Sequence, residues 1–247
     1  MKKIGMLGGV GWPSTAEYYR TICRISQSYW DSQGHTRPLP TPEIAIESLN
    51  MSFAVNNRGN QQPGSWDSWD RYYQKAMESL ESAGAELLIV SSITPHARIS
   101  EISKTVSVPV LSAYQAIGTY CLDNGFNELL ILGTLPTMST SSFVDGVSRY
   151  GVKASYPESQ TLRDRVGSVL ERLYLNQTQG ASAAIVDIVQ ECIPAESGSN
   201  VAVCLGCTEL PMAFGAQADN PMFKQSGISF LNSTVIHAQS AFDACLK

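Results

Sequence analysis

The segment Val201-Ala-Val-Cys-Leu-Gly-Cys207-Thr208-Glu209-Leu-Pro211 ends an apolar run on a cysteine, a threonine and a glutamate. A thiol, with an ordinary pKa of ~8.5, is readily tuned to give or take protons near neutrality. Earlier, Leu87-Leu-Ile-Val-Ser-Ser-Ile-Thr-Pro95 follows the same plan, so that Ser91-Ser92-x-x-Pro95 parallels Cys207-Thr208-x-x-Pro211. Two such strand ends facing one cleft would set proton-transfer groups on opposite sides of a substrate. The two groups are unequal. A serine hydroxyl ionising about five units higher than a thiol costs roughly 7 kcal/mol more to deprotonate. Ser91 can donate or relay a proton but is a poor unaided base, so proton traffic is expected mainly at Cys207.

Elements that position these residues are legible from periodicity. Apolar runs at Lys3–Leu7, Ile44–Leu49, Leu87–Val90, Val108–Leu111, Leu129–Leu132, Val152–Ser155, Val201–Leu205 and Ile228–Leu231 predict strands. Helical patterns fall between them, from near Pro13 to Ser26, Asp67 to Ala83, His96 to Lys104, Ala113 to Asn124, Val144 to Tyr150, Arg163 to Leu175, Ala181 to Cys192 and Ser233 to Ala244. A polar stretch from Asn56 to Ser65 predicts a loop over the cleft. Alternating strands and helices predict an α/β protein with parallel sheets covered on both faces, its site at the carboxyl ends of the strands. Gly9, Ser14, Thr15, Ser92, Thr94, Thr134, Thr137, Thr208 and Glu209 all fall at such ends. Hydroxyls and backbone N–H groups at helix starts can hold carboxylates.

Leu7-Gly8-Gly9 pairs with Leu132-Gly133-Thr134, and Ser91 follows the first as Cys207 follows the second. The simplest reading is a duplicated α/β unit with pseudo-twofold symmetry. Residues 1–113 with 226–247 form the first lobe and residues 114–225 the second, with the final strand and helix returning to the first.

The 247 residues can bury a sizeable core, and 43% hydrophobic with 16% charged residues suits a globular chain. A net charge of −5 gives no general reason to bind nucleic acid or acidic membranes. No apolar run approaches the ~20 residues of a membrane span, and the start of the chain turns glycine-rich too soon for a signal peptide. Six scattered cysteines are too sparse for a disulfide framework. Cys204-Leu-Gly-Cys207 has the CxxC form, but no second pair or nearby histidines complete a zinc set. No metal is therefore expected. Cys204, inside the apolar run, reads as core; Trp66 and Trp69 read as anchors between loop and core. His96 reads as orienting a helix start, His237 as bracing the last helix.

Five segments together resemble the aspartate/glutamate racemase family: Gly8-Gly9-Val-Gly-Trp-Pro-Ser14-Thr15-Ala-Glu-Tyr18-Tyr19, Ser-Ile-Thr94-Pro-His96, Leu132-Gly133-Thr134-Leu-Pro-Thr137-Met138, Gly206-Cys207-Thr208-Glu209-Leu-Pro211 and Ser233-Thr234-Val-Ile-His237-Ala238. The resemblance spans essentially the whole chain. It implies two flavodoxin-like lobes with the active site in the cleft between them, often in a dimer, and catalysis without pyridoxal phosphate, metal or other cofactor. Family racemases carry a cysteine in each lobe, in patterns like Cys-Thr-Asn-Thr-x-His and Gly-Cys-Thr-Glu. Here the first pattern reads Ser91-Ser92-Ile93-Thr94-x-His96, whereas the second is intact at Cys207. Arg58 stands in the first-lobe loop where aspartate-type relatives place an arginine for the distal carboxylate. The second-lobe region from Arg163 to Gly180 lacks the lysine common in relatives and has only Arg163, Arg165 and Arg172.

The resemblance thus implies a cytoplasmic, cofactor-independent isomerase acting at the α-carbon of a small acidic amino acid. Cys207 would be the main acid/base and Ser91 the weak opposite partner. One alternative is the chemistry of single-cysteine relatives, decarboxylation or cis–trans isomerisation of a small dicarboxylic acid. Another is a non-catalytic acid-binding protein that keeps the carboxylate cradle. The expected partners are a small anionic substrate and a second copy of the chain in a homodimer, not nucleic acid or membrane.

Overall fold

The structure, a computed structural model, describes residues 1–193 and 200–247. The chain divides into two compact units, Met1–Ser112 with Ala238–Lys247, and Ala113–His237. In the first, β1 (Ile4–Gly8) leads to α1 (Trp12–Ser32), followed by β2 (Ile44–Ser48), α2 (Met51–Asn56), α3 (Asp67–Ser82) and β3 (Leu87–Val90). A 3-10 turn at Thr94–Arg98 runs into α4 (Ile99–Ile102), and β4 (Val110–Leu111) completes the sheet. The strands are all parallel in the order β2-β1-β3-β4.

Side chains alternate across a strand, so a sheet buried on both faces needs apolar residues at every position. Leu7, Leu88 and Val90 meet Trp69, Tyr73, Met77 and Leu80 of α3 on one face. Ile4, Met6, Leu87 and Ile89 meet Tyr18 and Ile22 of α1 and Ala238, Ala241 and Phe242 of the C-terminal helix on the other. That is why these strands read as continuous apolar runs instead of alternating ones.

The second unit holds α5 (Ala113–Asp123), β5 (Glu128–Leu132), α6 (Leu135–Met138), α7 (Ser142–Ser148), β6 (Lys153–Ser155), α8 (Gln160–Tyr174) and α9 (Ala181–Cys192). Next come β7 (Val201–Leu205), a 3-10 segment at Leu210–Asp219, β8 (Met222–Gln225), β9 (Ile228–Asn232) and α10 (Ser233–Cys245). The sheet order is β6-β5-β7-β9-β8, parallel except for β8. Leu130, Leu132, Val203 and Leu205 pack with Val166, Leu170 and Leu173 of α8 and Ile185, Ile188 and Val189 of α9.

Both sheets repeat one plan: β2-β1-β3-β4 in the first, β6-β5-β7-β9 in the second. In each, the chain moves to one side of its first strand and then to the other. The loops after β1 and β3, and after β5 and β7, therefore part and leave a crevice at the carboxyl ends of the strands. This is an α/β protein with two parallel-rich sheets, as expected.

The boundary between units differs from the sequence reading. The final strand does not return to the first unit: β9 pairs in parallel with β7 and antiparallel with β8, so 226–237 belong to the second unit. A two-residue turn with Ser226 at φ 51 and Gly227 at φ 79 closes the β8–β9 hairpin. Only from Ala238 does α10 pack on the first sheet. An apolar run shows that a strand is buried without saying in which sheet. The short α2, α6 and β8 were also not legible as elements. Among the described residues no helix is long and apolar enough to cross a membrane.

Candidate active site

Cys207 stands just beyond β7. The preceding Gly206 donates its N–H to the Leu132 carbonyl at 2.7 Å, and a Cβ there would stand 2.9 Å from that same oxygen. A glycine is needed for this close approach, which delivers the next residue to the strand's end. The Cys207 thiol, partly buried, donates to Glu209 Oε2 at 2.8 Å. Thr208 Oγ1 donates to the same oxygen at 2.9 Å, and the Tyr174 hydroxyl at the end of α8 lies 3.8 Å from Cys207 Sγ.

Burial first, and then the negative charge of Glu209 that also accepts the thiol's hydrogen bond, raise the pKa of Cys207 well above the ordinary thiol value. The resting group is a neutral thiol facing a carboxylate. As it stands such a thiol can donate a proton. Beside it at the end of β5, Thr134 Oγ1 and Thr137 Oγ1 share a hydrogen bond of 3.0 Å.

In the first unit Gly9, Ser14, Thr15 and Ser91 come together, but in a network that closes on the backbone. Ser91 donates its N–H to Leu7 O at 3.0 Å and its hydroxyl to the same oxygen at 3.2 Å. Its Oγ lies 3.3 Å from Thr15 Oγ1, which accepts the Gly9 N–H at 2.9 Å, and Ser14 Oγ donates to the Ser91 carbonyl. Ser91 is only 1% exposed. Gly9 has φ 78, and a Cβ there would stand 2.1 Å from Leu49 O, so no larger residue fits.

His96 is buried and its Nδ1 lies 2.9 Å from Ser92 O, so Nδ1 carries the proton. Burial holds its pKa down to about 4, against smaller contributions from backbone carbonyls, and the ring is neutral. Ser92 and Thr94 are half-buried, and their hydroxyls have no protein partner among the described residues.

Arg58 is partly buried, and its Nε has no hydrogen-bond partner among the described residues. The fully buried Tyr73 hydroxyl also lacks one; burial raises that phenol's pKa and the Arg58 charge opposes the shift. Two tryptophans fix the surrounding loop: Trp66 Nε1 donates to Asn60 O at 3.1 Å and Trp69 Nε1 to Ala54 O at 2.9 Å. Arg98, in contrast, is consumed structurally. Its Nε donates to Asp70 Oδ1 at 2.6 Å, and its guanidinium lies 4.8 Å from the centre of the Trp66 ring. Arg163, Arg165 and Arg172 are engaged with Pro157 O, Glu191 and Gln179 O respectively.

The sequence pointed to Glu209 as a substrate-side group, whereas its carboxylate here takes hydrogen bonds from Cys207 and Thr208. Tyr174 was missed, since nothing in a helical pattern shows which residue of its last turn meets the loop after β7. Cys204 is fully buried within β7, and both Cys204 and Cys207 are free thiols. Among the described residues no three His, Cys, Asp or Glu side chains gather as a metal site.

The family model described as Asp/Glu/Hydantoin racemase matches residues 7–241. An aspartate racemase homologue from Pyrococcus horikoshii is similar in structure, with a TM-score of 0.79, 26% identity and 100% of both chains covered. A protein assigned as a candidate Asp/Glu racemase from Yersinia pestis also has a TM-score of 0.79 with full coverage of both chains, at 24% identity. The aspartate racemase of Picrophilus torridus shares the fold at a TM-score of 0.68 and 16% identity, over 100% of this chain and 95% of its own.

Proposed function

Because this chain belongs to the Asp/Glu/hydantoin racemase family, we propose that it moves protons at the α-carbon of a small acidic amino acid, with Cys207 as the principal acid/base. The hydrogen bond of 2.8 Å from Cys207 to Glu209 carries this reading. Passing the thiol proton to Glu209 leaves a thiolate and a carboxylic acid. The thiolate then takes the α-proton, its S–H bond re-forms, and the electron pair stays on the substrate as a carbanion delocalised into the α-carboxylate. Returning that proton from sulfur regenerates the same enantiomer; inversion needs a donor on the other face.

Ser91 is the weak opposite partner in this scheme. Its hydroxyl is committed to Leu7 O and Thr15, so delivering a proton requires breaking a buried hydrogen bond. Exchange on the Cys207 side therefore outpaces inversion. Ser92, Thr94 and Arg58, which have unused donors, are the first choices for holding substrate carboxylates, with Ser14, Thr15, Thr134, Thr137 and Thr208 behind them.

The burial of Ser91 favours one further reading, single-thiol chemistry on a small dicarboxylic acid, by decarboxylation or cis–trans isomerisation. Incubation with each enantiomer of aspartate and glutamate in D2O separates the two. Deuterium entering one enantiomer faster than chirality is lost supports the proposal. Absence of exchange in all four rejects it, and turnover of malonate- or maleate-type acids would then establish the alternative.

A further inference from the structure

Among the described residues two polar side chains reach the sulfur of Cys207, Glu209 from just ahead of the 3-10 segment and Tyr174 from α8; the first acts on the thiol through its charge and a hydrogen bond, the second through a hydrogen bond alone. Their effects are opposite. The Glu209 carboxylate accepts the S–H proton and disfavours the thiolate. The Tyr174 phenol has its own pKa raised, by burial first and then by the charges of Cys207 and Glu209, and so remains a donor. The three arginines on α8 are held by other partners, and among the described residues no cation is found to act on the thiol.

The packing of α8 does not need a phenol at this place. Its core stripe is Val166, Val169, Leu170 and Leu173, whereas Tyr174 is 53% exposed. An aromatic ring left more than half in solvent, with its hydroxyl turned to a buried-side nucleophile, is placed for the sulfur.

We propose that Tyr174 is a positioning residue for Cys207: it donates a hydrogen bond to the sulfur when the thiol proton has passed to Glu209, and so stabilises the thiolate. The step is balanced within the pair. An S–H bond breaks, a Glu209 O–H bond forms, and Tyr174 keeps its proton. The inference rests on Cys207 being the acid/base of the proposed reaction, but thiol titration can be read without a substrate.

The test is the pH profile of Cys207 alkylation by iodoacetamide in the full chain, followed by peptide mass spectrometry to separate Cys207 from the half-buried Cys23 and Cys192. In a Glu209→Gln background the carboxylate charge no longer raises the thiol's pKa, only burial does, and the profile is followed to high pH. Adding Tyr174→Phe there should raise the midpoint by about half to one pH unit, the equivalent of one lost hydrogen bond, with the plateau rate unchanged. Incorporating 3-fluorotyrosine at position 174, a stronger donor with an intact ring, should lower it. An unmoved midpoint, or a change confined to the plateau, overturns the proposal, because a purely structural ring alters access and not titration. Since no amino acid is present, failure here is distinct from failure of D2O exchange.

Discussion

Ser91 donates its hydroxyl to the Leu7 carbonyl at 3.2 Å, the same oxygen that already accepts its backbone N–H. That relationship ties the serine to the neighbouring strand β1. In the other sheet the residue in the same register is Gly206, whose N–H meets the Leu132 carbonyl as that of Ser91 meets Leu7; Cys207 comes one residue later, level with Ser92, and directs its side chain to a carboxylate. The repeated topology thus presents two chemically unlike strand ends, one with a serine tied to its own turn and one with a thiol hydrogen-bonded to a carboxylate.

Ser91→Ala should leave α-deuterium exchange on the Cys207 side within about threefold of the parent and cost about 1 kcal/mol of stability, the worth of one buried hydrogen bond. Ser91→Cys replaces a hydroxyl with a far more acidic thiol, and should raise the ratio of inversion to exchange by about tenfold or more. Both quantities come from NMR-monitored exchange combined with chiral chromatography. A ratio that stays flat in Ser91→Cys would mean that Ser91 is not the opposite partner.

Glu209→Gln keeps an oxygen to accept from Cys207 and Thr208, so the folded state should change by less than about 1 kcal/mol. It removes the group that takes the thiol proton. Exchange should therefore fall by about 10²–10⁴ at neutral pH. The residual rate should climb with pH as the thiol itself titrates. Wild-type activity in Glu209→Gln would exclude the carboxylate from the proton path.

Strands β3 and β7 were legible because their residues are apolar on both faces, whereas aligning Ser91 with Cys207 by their distance to a proline is one residue out of step with the sheets, where Ser91 is level with Gly206 and Ser92 with Cys207. The pairing of β9 was not, since Ile228–Asn232 reads alike whichever sheet receives it. The partner of Cys207 was visible only as a spacing: one residue separates Cys207 from Glu209, but a 3-10 turn beginning at Leu210 is what folds the carboxylate back onto the sulfur. The contact from Tyr174 is more remote in sequence and depends on how α8 lies on the sheet. Likewise Arg58 and Arg98 are chemically identical in the sequence, and only the ion pair with Asp70 tells them apart.

Arg58→Ala and Arg98→Ala should therefore fail differently. Arg58 has an unpartnered Nε, and its removal should leave stability within about 0.5 kcal/mol while raising KM for an acidic substrate about tenfold or more. Arg98→Ala strands the largely buried Asp70 carboxylate and removes a cation from the Trp66 face. A loss of about 2–4 kcal/mol is expected, with KM little changed in whatever protein remains folded. Urea unfolding and steady-state kinetics on both variants distinguish the roles; an unchanged KM in Arg58→Ala removes it from the carboxylate cradle.

His96 sets an acid limit on the fold. Its pKa is about 4 in the folded protein, held down by burial, whereas an exposed histidine titrates near ~6.5. A depressed folded-state pKa means that the unfolded chain binds the proton first as pH falls. The stabilisation is thus complete above pH ~6.5 and is lost progressively toward pH 4. Between pH 7 and 4.5 it amounts to about 2–3 kcal/mol. His96→Gln can still donate toward Ser92 O without titrating, so it should be less stable at neutral pH yet lose that much less on acidification. Urea denaturation of both proteins at the two pH values gives the comparison, and equal losses would show that His96 does not govern the acid side.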